Sequence, residues 1–220
     1  MRGMWLAKHH SHRRVPDVRG LQISRGVRVI TARDEAGRPV HVAGQRTPLD
    51  AYDTPDDLAK MLVGLLPIEP GDMALEPHAG AGAFCRALVG AGANVLAQDI
   101  DHRAPALARN PDWHSYHGDF LAASYMVQPR WVIGNPPFTD ADKHIRKAID
   151  VSERHVALLL RLAILSSQKR HRLWMAHPPR CVWVMSSRPS FMEIGTDRFD
   201  YAWIWWDKQH TGLPTLAWLP

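Results

Sequence analysis

The chain has 220 residues, 45% of them apolar and 22% charged, the composition of one well-cored globular domain with a short appendage and not of a disordered segment. Its most apolar run, residues 155–165, carries Arg161 near its centre and is far shorter than the roughly 20 residues a membrane span needs. The net charge of +5 is uneven, +6 over residues 1–50, −5 over 51–150 and +4 over 151–220, as expected where basic flanks meet a polyanion and an acidic middle does other work. Cys85 and Cys181 are the only cysteines and have no metal-type spacing, and the N-terminus is charged from Arg2 with no apolar leader. A reduced, cytoplasmic setting is expected.

Residues 1–20, with His9, His10, His12, Arg13 and Arg14, have no periodicity and read as a basic arm. No acidic or cysteine ligand accompanies the histidines, so no metal is expected there. Residues 27–31 and 40–42 flank a turn at 34–39 and predict a small hairpin. The division expected is therefore an arm and hairpin over 1–45 and a main domain over 46–220. Within the latter, a helix is expected at 56–66, where Leu58, Met61, Leu62 and Leu65 share a face. A strand at 73–76 runs into a glycine-rich loop and a helix at 84–90. A strand at 94–98, a short helix at 102–109, a strand at 131–133 and a helix at 140–151 follow. Then come a buried strand at 155–160, a helix at 167–175, and strands at 182–185, 201–206 and 216–219. Trp203, Trp205 and Trp206 alternate within a strand, which favours packing over base stacking. Helices between successive strands predict a doubly wound, mostly parallel α/β sheet.

Ligands in such sheets bind beyond the carboxyl ends of the strands, and four of those ends carry unusual residues. Glu76-Pro77-His78-Ala79-Gly80-Ala81-Gly82 leaves room for close backbone approach. Cys85 stands where the dinucleotide pattern wants a further glycine, so a smaller nucleoside ligand is favoured over NAD or FAD. Asp99 can accept both ribose hydroxyls, and Ile100 beside it can cover one face of a purine. Asp119, in Gly118-Asp119-Phe120, can accept from an exocyclic amine. His114 and His117 nearby lack a third ligand at zinc spacing. Asn135-Pro136-Pro137-Phe138 is the most specific signal. Two prolines freeze the backbone without donating N–H groups, Asn135 adds a carbonyl and Phe138 a flat face, a pocket for a planar group bearing an amine.

On these residues the chain resembles the class I S-adenosylmethionine-dependent methyltransferases, and among them the N6-adenine DNA methyltransferases. Asn135, Pro136, Pro137 and Phe138 match the amino-methyltransferase catalytic motif. Glu76, His78, Gly80 and Gly82 resemble the methionine-side cofactor loop, with His78 in place of the usual smaller residue. Asp99 matches the ribose-binding acid, and Asp119-Phe120 the adenine-binding pair. Tyr52-Asp53-Thr54-Pro55 is similar to the element that closes over the cofactor, which makes Tyr52, Thr54 and Pro55 candidates for cofactor contact. Cofactor motifs ahead of the catalytic motif are similar to the gamma order, and Arg188-Pro189-Ser190-Phe191 is similar to short phage-type adenine methyltransferases. The resemblance covers about residues 50–210.

It implies a Rossmann-like fold with a seven-stranded, mostly parallel sheet and an antiparallel C-terminal strand, S-adenosylmethionine as cofactor, and DNA as partner with a short or relaxed recognition sequence. It implies no metal and no membrane, and leaves monomer and homodimer open. Phe138, opposed by Phe191, would stack on a base drawn out of the duplex. Between Arg154 and Met192 there are seven Lys or Arg and no acid, which makes Lys169, Arg170, Arg172 and Arg188 candidates for phosphate contact. The same motif serves RNA adenine or guanine amines and protein glutamine, so RNA is the first alternative acceptor and protein the second. A non-catalytic DNA-binding protein on this fold is the third.

Overall fold

The computed structural model describes residues 53–189 and 199–220. The predicted arm, hairpin and 45/46 boundary lie outside them, as do Tyr52 and Phe191. Among the described residues no helix is long and apolar enough to cross a membrane.

The chain enters through α1 (Asp56–Val63), β1 (Met73–Glu76), α2 (Ala83–Gly90) and β2 (Asn94–Asp99). After β3 (Trp113–His117) and β4 (Trp131–Gly134) come α3 (Ala141–Val151), β5 (His155–Arg161), α4 (Gln168–Ala176), β6 (Cys181–Met185), β7 (Tyr201–Asp207) and β8 (Thr215–Leu219). One sheet holds all eight strands in the order β3-β2-β1-β4-β5-β7-β6-β8. Only β7 is antiparallel to its neighbours; the last strand, β8, is parallel to β6. The sheet therefore has one strand more than the seven expected. The additional strand is β3, whose side chains after Trp113 are exposed at the sheet edge, so it has no alternating apolar pattern to read. The helix expected at 102–109 is a single 3₁₀ turn, Pro105–Leu107. Pro105 has no N–H to donate and holds Ala104 in an extended conformation (ψ 126°), which stops a helix from running through.

Two apolar layers cover the sheet. On one face α1 and α2 pack Leu62, Phe84 and Leu88 against β1, β6 and β7, with Phe84 stacked on Trp203 at 5.5 Å. On the other, α3 and α4 pack Ile145, Ile149 and Leu173 against β4, β5 and β7. All seven residues of β7 are buried, and each large apolar side chain so covered contributes about 1.5–3 kcal/mol. Trp203 and Trp205 join the first layer and Trp206 the second, so their alternation serves the core as expected. Trp206 also donates Nε1–H to the His177 carbonyl at 3.0 Å.

The strand order reverses direction between β1 and β4. At this switch point the connections leave to opposite sides and a crevice opens beyond the strand ends.

Candidate active site

A cavity of about 270 Å³ lies in that crevice, walled by the loops that follow β1, β2, β3 and β4. Its floor is the glycine loop. Gly80 (φ +46°) and Gly82 (φ +86°) are left-handed, a conformation that a side chain resists. A Cβ on Gly80 would stand 3.1 Å from Asp53 Oδ1. Asp53 itself accepts Ala81 N–H at 3.2 Å, bringing the segment before α1 over the loop.

Asp99 lines the cavity and is doubly anchored. Its Oδ2 accepts Gly80 N–H and its Oδ1 accepts Asp101 N–H, each at 2.8 Å. Asp101 also faces the space, and hydrogen bonds from Arg103 pull its pKa down to about 2. Ile100 is 49% exposed at the rim. Asp119 and Phe120 form the far wall, with Asp119 Oδ1 accepting Leu121 N–H at 2.9 Å.

Opposite stands the Asn135-Pro136-Pro137 corner, all three residues lining the cavity. Asn135 Nδ2–H donates to Thr54 Oγ1 at 3.3 Å, so the segment before α1 reaches the corner as well as the glycine loop. Pro55 caps α1 through its carbonyl, which accepts Ala59 N–H at 3.0 Å.

Several candidates are placed otherwise than expected. Glu76 does not line the cavity: it is 1% exposed beneath it, accepting His78 N–H at 2.8 Å on Oε1. Its Oε2 has no hydrogen-bond partner among the described residues, and burial pushes the carboxyl pKa well above the usual range. An acid packed under the loop in this way shapes it without reaching a ligand. Gly82 opens α2 and does not touch the cavity. Phe138 leaves the cavity wall and packs toward the core beside Tyr201, 5.4 Å between rings. The Arg161 guanidinium lies over the Phe138 ring, 4.1 Å from its centroid.

The basic candidates divide. Lys169 and Arg172 are exposed. Arg170 is spent on its own chain, donating to the carbonyls of Ala163, Ile164 and Ser166 at 2.9–3.1 Å. Arg188 pairs with Asp200 at 2.9 Å on the surface.

Asp53, Asp101 and His144 line the cavity without having been singled out. His144 comes from α3, far along the chain, and joins His78 by a 2.8 Å hydrogen bond between Nδ1 and Nε2. Burial lowers the pKa of both rings, and for His78 the neighbouring His144 adds to it. A neutral imidazole pair thus backs Phe120, which stacks on His144 at 6.0 Å. Only the histidine at 78 carried any signal, standing where the loop usually has a small residue. Both cysteines are free and buried, with the Cys181 thiol pushed up to about 12 by burial, which leaves neither as a nucleophile. Among the described residues no three His, Cys, Asp or Glu come together as metal ligands.

No protein-family model matches the chain. Over 113 residues it is 33% identical to an rRNA methyltransferase of Streptomyces thermotolerans, a stretch that is 49% of this chain and 36% of that relative. The match thus spans about a third of the relative's length. A candidate class I S-adenosylmethionine-dependent methyltransferase of Listeria monocytogenes superposes with a TM-score of 0.61 at 13% identity, over 76% of this chain and 65% of that one. The 23S rRNA methyltransferase ErmE superposes with a TM-score of 0.57 at 17% identity, over 70% of this chain and 68% of its own. The fold is that of the class I methyltransferases: a Rossmann-like α/β sheet, parallel except for the inserted β7.

Proposed function

We propose that this chain is an S-adenosylmethionine-dependent methyltransferase that modifies an exocyclic base amine of RNA. The observation that carries the proposal is the cavity at the β1/β4 switch point, with Asp99 at one side and the Asn135 corner at the other, joined by Asp53 and Thr54. The residues present fit the cofactor. The Gly80 cradle admits backbone approach, Asp99 is held where a ribose is expected, and Ile100 and Phe120 offer apolar faces beside Asp119.

When bound, S-adenosylmethionine supplies a methyl carbon made electrophilic by its sulfonium, with no need of a metal. The protein's part is to hold the amine in line and keep water away. Asn135 Nδ2–H donates to Thr54 Oγ1; the Asn135 side-chain carbonyl and the Pro136 carbonyl serve as the two acceptors for the amine hydrogens. Two acceptors on the amine hydrogens aim the nitrogen lone pair at the methyl carbon as the nitrogen becomes tetrahedral. No general base is required before transfer, because the amine becomes acidic only once alkylated.

RNA is preferred to the DNA first expected. The curated relative is an rRNA methyltransferase, and its likeness to this chain at 33% identity supports the RNA reading. The DNA reading rests on the phage-type similarity around Arg188 and Phe191. Exposed Lys169 and Arg172 supply sequence-independent phosphate contact in either case.

Transfer of labelled methyl from S-adenosylmethionine to ribosomal RNA, duplex DNA and protein in parallel, with Asn135→Ala as control, tests the proposal. Label in an RNA base amine, lost in the variant, is expected. Label only in DNA restores the DNA reading, label only in protein points to a glutamine amide, and failure to bind cofactor refutes the enzyme reading.

A further inference from the structure

At the carboxyl end of β5, beside the Asn135 corner, one cation covers two aromatic rings. The carbon at the centre of the Arg161 guanidinium lies 4.1 Å from the Phe138 centroid and 3.8 Å from that of Phe199. Phe138 backs onto buried Tyr201, and Tyr201 faces Arg161 in the β5–β7 register. The Leu162 N–H bond to the Asp200 carbonyl, 2.8 Å, fixes the end of β5 against the residue next to Phe199.

Two features of this arrangement are unusual. The first is its spacing: a flat, delocalised group at about 4 Å from an aromatic ring occupies the volume that a stacked base would take. The second is an unmatched donor: among the described residues the Arg161 Nε–H is buried without a hydrogen-bond partner. Arg154, by contrast, pairs with Asp207 and Arg86 with Asp56. A buried N–H left unmatched costs stability, so the position is favoured by the rings and disfavoured by its donors.

We propose that Arg161 keeps the seat of the target base on Phe138 in the free protein, and yields it when the base arrives by swinging its guanidinium onto a flanking phosphate. This rests on the methyltransferase reading and adds to it a residue that couples base entry to backbone contact. Phe138 directly follows the Asn135-Pro136-Pro137 corner in the chain, so the proposed seat adjoins the residues that carry the amine acceptors. The exchange satisfies both partners. The base takes over the aromatic face, and the guanidinium donors, Nε–H among them, meet phosphate oxygens in a bidentate fork. Arg161 then acts as a gate in favour of a base that brings its phosphates with it, which sets a nucleic acid apart from a free nucleoside.

The test uses the whole chain saturated with S-adenosylhomocysteine, so that the cofactor cavity is filled. Two fluorescent probes are compared: 2-aminopurine riboside, which has no phosphate, and a short oligoadenylate RNA containing one 2-aminopurine. For Arg161→Ala the two affinities are expected to move in opposite directions. The riboside binds about threefold tighter because its seat is vacant. The oligonucleotide binds about tenfold weaker, with a salt slope lower by about one. Arg161→Lys, which keeps the charge and loses the plane, recovers the salt slope. If both probes weaken together and the melting temperature falls, Arg161 is only a structural clamp and the proposal is overturned. If the riboside is indifferent and only the oligonucleotide weakens, Arg161 is a phosphate ligand that never held the seat, which also overturns it. Failure of the wild-type protein to bind S-adenosylhomocysteine is a separate result that defeats the methyltransferase reading itself, before any variant is made.

Discussion

Gly134→Ala tests how tightly the floor of the cavity is built. Gly134 ends β4 beside β1, and a Cβ there would stand 2.3 Å from Glu76 Oε1, 2.7 Å from Oε2 and 2.8 Å from Cδ. No ordinary Cβ contact is that short, so the glutamate has to move. It has little room, being 1% exposed and holding His78 N–H at 2.8 Å. Turning the carboxyl away leaves that buried N–H unpaired, costing about 1–3 kcal/mol, and overpacking adds about 1–3 kcal/mol. A total near 3 kcal/mol corresponds to a fall in Tm of roughly 6–12 °C for a chain of this size. Urea denaturation of Gly134→Ala, Glu76→Ala and the double variant measures the coupling. The double variant should be at least about 1 kcal/mol more stable than the two single losses summed, because removing the carboxylate removes the clash. Additivity within about 0.5 kcal/mol, or a Gly134→Ala protein as stable as wild type, would refute the reasoning.

Asn135→Ala should lower kcat for methyl transfer by roughly 10²–10³-fold, the cost of one lost hydrogen-bonding group at a developing charge, with cofactor affinity by calorimetry nearly unchanged. Asp99→Asn places an amide where Gly80 N–H and Asp101 N–H need acceptors. Cofactor Kd should rise about 10- to 150-fold, as charge-assisted bonds of about 1.5–3 kcal/mol are lost, and an unchanged Kd would remove Asp99 from the site. His155 provides a pH dependence. Burial lowers its pKa to about 4, its ring stacks on Trp131 at 4.1 Å, and its Nδ1 accepts Trp205 Nε1–H at 3.4 Å. Because the unfolded chain binds this proton more readily than the folded one, stability is present above about pH 6.5 and is lost as pH falls toward 4. Thermal melting from pH 7 to 4 should show that loss, and His155→Gln should flatten it; an equally steep fall in the variant would assign it to other groups.

Most elements were legible because their causes are local. Leu58, Met61, Leu62 and Leu65 recur at helical spacing in α1, although the helix closes at Val63. The Trp203–Trp206 alternation marks β7, and each strand carrying apolar residues was expected within two residues of its observed ends. β3 was not, since an edge strand whose side chains face solvent has no apolar pattern and exists through its pairing with β2, Val95 to Trp113 onward. The 102–109 helix was overestimated because Pro105 outweighs the helix-forming alanines and leucine around it.

Which residues could do chemistry is legible in the chain alone: Asp99, Asp119 and Asn135 stand at strand ends, and strand ends in a doubly wound sheet are where ligands bind. So are the paired prolines that stiffen the Asn135 corner. Which side chains share the cavity depends on folding. His144 reaches His78 across 66 positions of chain, and such a meeting leaves no trace in local spacing. Only burial turned Glu76 from a ligand-facing acid into a support beneath the loop, where loss of water pushes its carboxyl pKa up. Only packing laid Arg161 on Phe138, since the cation ends β5 and the ring belongs to the loop after β4.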